Sequence, residues 1–450
     1  MVPQALNKDG VHVGKRPAAV DPVDVLVFLV PCLQFVRIHI IGVLNGSDIT
    51  LLVAFFYFAF RGRLRIAKPV GKWALALCSL WLASQCVTDI VRHSAFADYA
   101  RGWSNIGLAL VNLALLWTLL YGRPRRLVIF GWGLVVGGVL LYLISPPEIL
   151  SGGTPGLAWK FGFAFIVSLG VFLLASRKEC RGHWPITLAV MVGMINMALG
   201  SRAVGGVCFA AALFLFVTGV SRRKNPGISR LKTGTMAALA ASIIVSAAAV
   251  LGAYQYAAKA GILGEQASEK YEEQSSGDYG ILLGGRTEIL AEFPAIYDSP
   301  ILGHGSWARE PLYIILQNQA LARLGYKMAW DIDSDILQEG FIPTHSYIFG
   351  AWVDGGILGT VFWGWIFVMT ARVLTRVYPA TVELLPVASF LTFLLLWNIL
   401  FSPFGTDARL TFPYTFVMLM TVMDPASWKV VQVQPAQARR MPQSKPKRIA

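Results

Sequence analysis

"HSYIFGAWVDGGILGTVFWGWIFVMTA", residues 345–371, holds one imidazole, His345, one carboxylate, Asp354, and no lysine or arginine. A helix needs about 17 to 25 largely apolar residues to cross the ~30 Å hydrocarbon layer of a bilayer, and inside that layer its backbone must satisfy its own hydrogen bonds. The stretch therefore reads as a membrane-crossing helix, and the same pattern recurs along the chain. Twelve spans follow: 24–44, 48–60, 73–91, 103–121, 127–144 and 157–175, then 184–200, 203–220, 234–256, 345–371, 381–401 and 409–424. The span 48–60 is short, and 127–144 is rich in glycine. Of the 450 residues 55% are hydrophobic and 14% charged, with a mean hydropathy of +0.58, which excludes an ordinary soluble globule. The expected fold is an all-α polytopic membrane protein with about 12 transmembrane helices.

Lysine and arginine concentrate on the cytoplasmic side of a membrane protein. With the N-terminus inside, the inner segments include "RGRLRIAKPVGK", "GRPRR", "SRKECRG", "SRRKNPGISRLK" and the tail; they take 27 of the 39 basic residues, the outer segments take 11, and Arg37 lies within the first span. The net charge of +14 thus reads as topology determinants beside anionic lipid and calls for no nucleic-acid partner. The expected organisation is a cytoplasmic arm at 1–22, transmembrane helices over 23–256, a long outer loop at 257–344 that is periplasmic in a cell with two membranes, transmembrane helices over 345–424, and a basic, disordered cytoplasmic tail at 425–450. The first 22 residues lack the short apolar core and cleavage site of a removable signal, so the first span directs insertion.

Cys32, Cys78, Cys86, Cys180 and Cys208 fall in spans or on the inner side, so disulfides are not expected. No Cys/His pair has metal-ligand spacing and no glycine loop has the Walker pattern, so neither a metal centre nor an ATP-driven engine is expected. In the long loop 13 carboxylates face 6 basic residues. "GRTEILAEFPAIY" places apolar residues at 289, 290, 293, 296 and 297, on one helical face that Arg286 shares. A second amphipathic helix is expected from Pro311 to Leu324, with proline in its first turn and Gly325 at its stop. Between them "DSPILGHGSW" is turn-rich, and His304 there reads as a loop histidine. "DIDSD", residues 331–335, invites a calcium reading, but the glycine and glutamate that such a loop needs at its sixth and twelfth positions are Ile336 and Ile342. A solvated acidic loop is the better account.

Three side chains gather at the outer face: Arg202 in "LGSRAVGG", Arg286 in the loop, and His345 at the start of the tenth span. Thr344 is placed to cap that helix, and the N–H dipoles of a first turn disfavour a protonated ring, which leaves His345 neutral and able to accept a proton. At about 1.5 Å per residue, Arg37 lies roughly 10 Å and Asp354 roughly 14 Å inside the outer boundary. Charges at such depth usually pair, so an Arg37–Asp354 ion pair is expected. Nine residues of regular helix put Asp354 on the face opposite His345, so the two should not touch.

"LGSRAVGG", "GGRTEILAEFPAIYDSPILGHG" and "THSYIFGAWVDGGILG", in that order around one long outer loop, resemble the O-antigen ligase and polymerase superfamily of bacterial envelope glycosyltransferases. The resemblance covers about residues 195–365, with Ala203 where glycine is common and Asp354 where glutamate is common. It implies a bacterial inner-membrane protein similar to C-type glycosyltransferases, using a glycan carried on undecaprenyl diphosphate, with no cofactor and, in the ligases, no required metal. By matching position, Arg202 and Arg286 would hold the diphosphate and His345 would serve the acceptor hydroxyl; Arg37 and Asp354 are expected, from their depth alone, to play a structural part. One large late loop fits the ligase that joins O-antigen to the lipid A–core oligosaccharide; a polymerase or a protein O-oligosaccharyltransferase is a relative. A polytopic transporter would also account for the spans and for Arg37, but inverted repeats are not evident and the notable charges cluster at one face.

Overall fold

The computed structural model describes residues 21–146, 155–177, 179–180, 182–225, 228–262, 264–326, 339–379 and 382–428. The "DIDSD" run and nearly all of the two terminal arms lie outside them. Among the described residues six helices are long and apolar enough to cross a membrane: Pro69–Arg92, Phe96–Leu120, Pro124–Ile144, Arg202–Lys224, Thr233–Lys259 and Ile357–Leu374. Six shorter apolar helical segments join them, Pro22–Phe35, Gly46–Phe60, Trp159–Ala175, Trp184–Ala198, Leu385–Phe401 and Ala408–Met423. The only sheet among these residues is a two-stranded hairpin. The protein is an all-α, membrane-embedded protein.

Two of the expected spans take a different form. The stretch 24–44 is not one helix: it ends at Cys32, one residue past Pro31, passes through a short turn at Leu33–Phe35, and enters the hairpin in which Arg37–His39 pairs with Val43–Asn45. Proline inside a helix removes a backbone donor and crowds the preceding turn, which favours an early stop. The stretch 345–371 is also two pieces, Tyr347–Gly355 and Ile357–Leu374, joined at Gly356. Gly356 has φ +72, a left-handed conformation open to glycine at little cost. The cap of the first piece is Ser346, whose hydroxyl accepts from the Phe349 N–H at 3.2 Å, rather than Thr344. Ser346 holds that place because its hydroxyl also donates to the Ile399 carbonyl at 2.8 Å.

The core runs through helix 408–423, almost all of whose side chains are buried, and through helix 385–401 beside it. Rings from distant segments meet there: Trp81, Phe362 and Trp363 pack on one another, with Tyr347, Phe404 and Phe412 around them. One ion pair is enclosed with them. Arg409 meets Asp48 at 3.2 Å, their side chains 4% and 1% exposed, and gives a further N–H to the Val43 carbonyl at 2.6 Å. Arg37 does not pair with Asp354; it meets Asp407 at 3.6 Å. The hairpin carries Arg37 towards the residues before helix 408–423, whereas Asp354 sits at the end of helix 347–355.

The long loop contains the helices Glu265–Gln274, Gly280–Gly284, Ile289–Asp298 and Pro311–Arg323. Pro311 opens the last of these and Gly325, φ +74, follows it, as the sequence predicts. Helix 289–298 corrects its expected face. Ala291, Glu292, Ala295 and Ile296 are buried, while Phe293 and Tyr297 are exposed, and Arg286 precedes the helix instead of sharing its apolar stripe. Hydropathy distinguishes apolar surroundings from water, but it does not distinguish lipid from protein.

The connector after this helix is a clamp. His304 and Gly305 donate their backbone N–H groups to the carbonyls of Val353 and Asp354 at 2.7 and 3.0 Å, and Ile357 donates to Ile301 at 3.3 Å. The first two satisfy carbonyls freed where helix 347–355 ends, and the third gives a partner to an N–H at the start of helix 357–374. The approach is so close that a Cβ on Gly356 would collide with the Ile301 carbonyl oxygen. Below it, Asp89 accepts from the Ser306 N–H and hydroxyl at 2.6 and 2.7 Å and from the Trp103 indole at 2.7 Å. The His304 ring is buried between Glu310 and the Ala295 carbonyl, both 2.7 Å away, a structural role. The loop is thereby fixed against the helix that His345 precedes.

Candidate active site

Arg202, Arg286 and His345, far apart in sequence, are linked in space through Arg286, which feels the field of Arg202 and acts on the His345 ring. Gly200, φ +83, reverses the chain after helix 184–198 and lets Arg202 open helix 202–224. Its guanidinium lies over the Tyr254 ring, 4.3 Å from the centroid, and donates to Gln274 Oε1 at 3.4 Å. Arg286 follows helix 280–284 and reaches helix 385–401, where its guanidinium sits 5.5 Å from the Trp397 ring and 5.6 Å from Phe401. One N–H goes to the neighbouring Gly285 carbonyl at 3.1 Å. A guanidinium has five N–H donors, and aromatic faces hold its position without consuming them. Burial holds the Arg286 guanidinium below its ordinary range; Glu288 opposes this, and the field of Arg202 adds to the lowering. Two arginines that repel one another in a partly dry site make a receptor for anions.

His345 stands before the first residue of helix 347–355. Its backbone N–H donates to Glu292 Oε1 at 2.8 Å, and its ring Nδ1 lies 3.8 Å from Glu288 Oε1. Burial pushes the imidazole below the usual histidine range; Glu288 opposes this, and Arg286 and Lys160 reinforce it. Burial and the neighbouring cations favour the neutral form of the ring. Glu292 is 3% exposed, and burial pushes its carboxyl up to about 7, against the lowering effect of the His345 N–H and with a further rise from Glu288.

Arg37 and Asp354 are not part of this cluster. Arg37 is engaged with Asp407, and the Asp354 carbonyl belongs to the clamp. Four features were not singled out from the sequence: Glu288, Glu292, the ring pair Trp397 and Phe401, and Lys160. Both carboxylates sit in "GRTEILAEF" at i and i+4, a spacing that puts them on one helical face and was a readable signal. Lys160 lies on a single π-helical turn, Trp159–Phe163, with its ammonium 4.5 Å from the Phe161 ring centroid; nothing in hydropathy marks such a turn, though π turns recur at functional sites.

Two guanidinium groups and an imidazole whose protonation burial disfavours thus occupy one neighbourhood. No protein-family model matches this chain, and no curated protein matches it.

Proposed function

We propose that the protein is a membrane glycosyltransferase that moves an O-antigen glycan from undecaprenyl diphosphate to the lipid A–core oligosaccharide, without metal and with inversion at the transferred sugar. The observation that carries this reading is the run of neighbours Arg202, Arg286 and His345, in which Arg202 acts on Arg286 and Arg286 on the His345 ring, with both guanidinium groups against aromatic rings. The choice of donor and acceptor rests on the ordered motifs around the long loop, which resemble the O-antigen ligase and polymerase superfamily. In this reading all twelve apolar segments cross a bacterial inner membrane, both termini are cytoplasmic, and the loop 257–344 with its cations faces the periplasm.

The chemistry follows from charge. The bond from the sugar's anomeric carbon to the diphosphate oxygen breaks, and its electron pair leaves with the diphosphate. Forked N–H donors from Arg202 and Arg286 stabilise that growing charge. The acceptor oxygen forms the new bond from the opposite face, and its proton passes to the free Nε2 of His345.

Reconstitution with a polyprenyl-diphosphate oligosaccharide and lipid A–core, followed by mass analysis of the product, tests the reading. A covalent conjugate is expected, and His345→Ala should abolish it while leaving expression and insertion intact. Movement of the substrate across sealed vesicles with no conjugate would replace this reading with a transporter. EDTA should leave turnover unchanged; strong inhibition would return attention to "DIDSD".

A further inference from the structure

Glu288 closes the turn before helix 289–298, and Glu292 follows one turn later on the same face. Glu292 takes the main-chain N–H of His345 at 2.8 Å, and Glu288 Oε1 stands 3.8 Å from ring Nδ1. The other Glu288 oxygen is buried and has no hydrogen-bond partner among the described residues. A buried carboxylate oxygen without a donor is costly, so its place asks for a function. The charge partner within 4 Å of this carboxylate among the described residues is the His345 imidazole, on the Oε1 side.

We propose that Glu288 and Glu292 are positioning residues for His345: Glu288 fixes the ring with Nδ1–H towards its carboxylate, and Glu292 fixes the backbone from which the ring hangs. The proposal rests on the reading of His345 as the base of a glycosyl transfer. Holding the proton on Nδ1 leaves the lone pair of Nε2 for the acceptor hydroxyl. When the hydroxyl's proton arrives at Nε2, the imidazolium keeps both ring protons, Glu288 stays ionised, and their attraction stabilises the charge that has formed. At 3.8 Å the contact is electrostatic; catalytic hydrogen bonds that are long in the free enzyme tighten when the substrate docks. Glu288 works against Arg286 and Lys160, whose fields also reach the ring, while Glu292 lies behind its main chain.

The test uses the full-length protein in lipid nanodiscs, with a synthetic polyprenyl-diphosphate oligosaccharide as donor and lipid A–core as acceptor. Glu288→Gln is isosteric and removes only the charge. It is expected to lower kcat about 10- to 100-fold, the size of effect seen when a partner that orients a ring nitrogen is lost. Donor KM should stay within about twofold, because the diphosphate cradle is intact. The acid limb of the pH profile should move to lower pH, since the ring loses an anionic neighbour, and the same shift should appear in the nuclear magnetic resonance titration of the labelled His345 ring. Glu288→Asp should recover part of kcat.

A Glu288→Gln enzyme with wild-type kcat and an unmoved ring titration would overturn the proposal. If that variant does not assemble, Glu288→Asp decides: wild-type kcat and titration there overturn it equally. Failure of the wild type to form any conjugate would instead defeat the glycosyl-transfer reading, and the ring titration, which needs no turnover, would still decide whether Glu288 controls His345.

Discussion

Arg286 is held by the faces of Trp397 and Phe401 and gives one N–H to a neighbouring carbonyl, so its position is set by rings and its donors remain available. If the proposed donor binds there, Arg286→Ala should lower transfer about 10²- to 10³-fold, the usual loss when one donor to a developing anion is removed. Arg286→Lys should recover little, because a point-charge ammonium neither stacks on two rings nor forks around a phosphate. Arg202→Ala should raise donor KM; both effects are read from initial rates at varied donor concentration. Glu292 makes a prediction independent of function. Its folded carboxyl is raised to about 7 from an ordinary 4.5, so between those values the folded state holds a proton that the unfolded state releases. Stability should therefore fall as pH rises from about 4.5 to 7 and level off above, by at most on the order of 3 kcal/mol. Glu292→Gln keeps an acceptor for the His345 N–H and should flatten that part of the profile, as measured by melting temperature against pH.

At the scale of elements, the clamp between residues 301–305 and 353–357 ties the long loop to the broken helix. Gly356→Ala meets both a left-handed backbone and the Ile301 carbonyl. It should cost about 1–3 kcal/mol of local stability and expose the connector to protease, a cut that gel analysis of the intact protein detects. The proline and glycine that bound helix 311–323 were legible in the sequence because each acts through its own backbone. The break at Gly356 was not, since an apolar run looks the same whether or not one glycine adopts a positive φ. The exposed side of helix 289–298 was misread for a related reason: Phe293 and Tyr297 are apolar and yet face outward. Arg202, Arg286 and His345 were legible as charged or titratable groups at the ends of apolar runs. The rings that hold Arg286, Trp397 and Phe401, were hidden within a span already full of aromatic residues. The partner of Arg37 depended on the hairpin at 37–45, and depth along a straight helix pointed to Asp354 instead of Asp407.

At the scale of the whole molecule, the Asp48–Arg409 pair joins helix 46–60 and the 43–45 strand to helix 408–423 inside the bundle. Removing one partner strands the other charge away from water. Asp48→Ala should therefore destabilise the protein by about 3–5 kcal/mol, visible as a lower melting temperature of the purified protein. Helix 233–259 is built in the opposite way. Leu239 near its start and Ala258 at its end are buried, and between them most of the described side chains are exposed. If this helix crosses the membrane as proposed, acyl chains supply the dispersion contacts that other helices draw from neighbours, and the bilayer becomes a constituent of the native state. A harsh short-chain surfactant is then equivalent to deleting a packing partner, and Tyr254, the ring beneath Arg202, would be among the first side chains to register the loss.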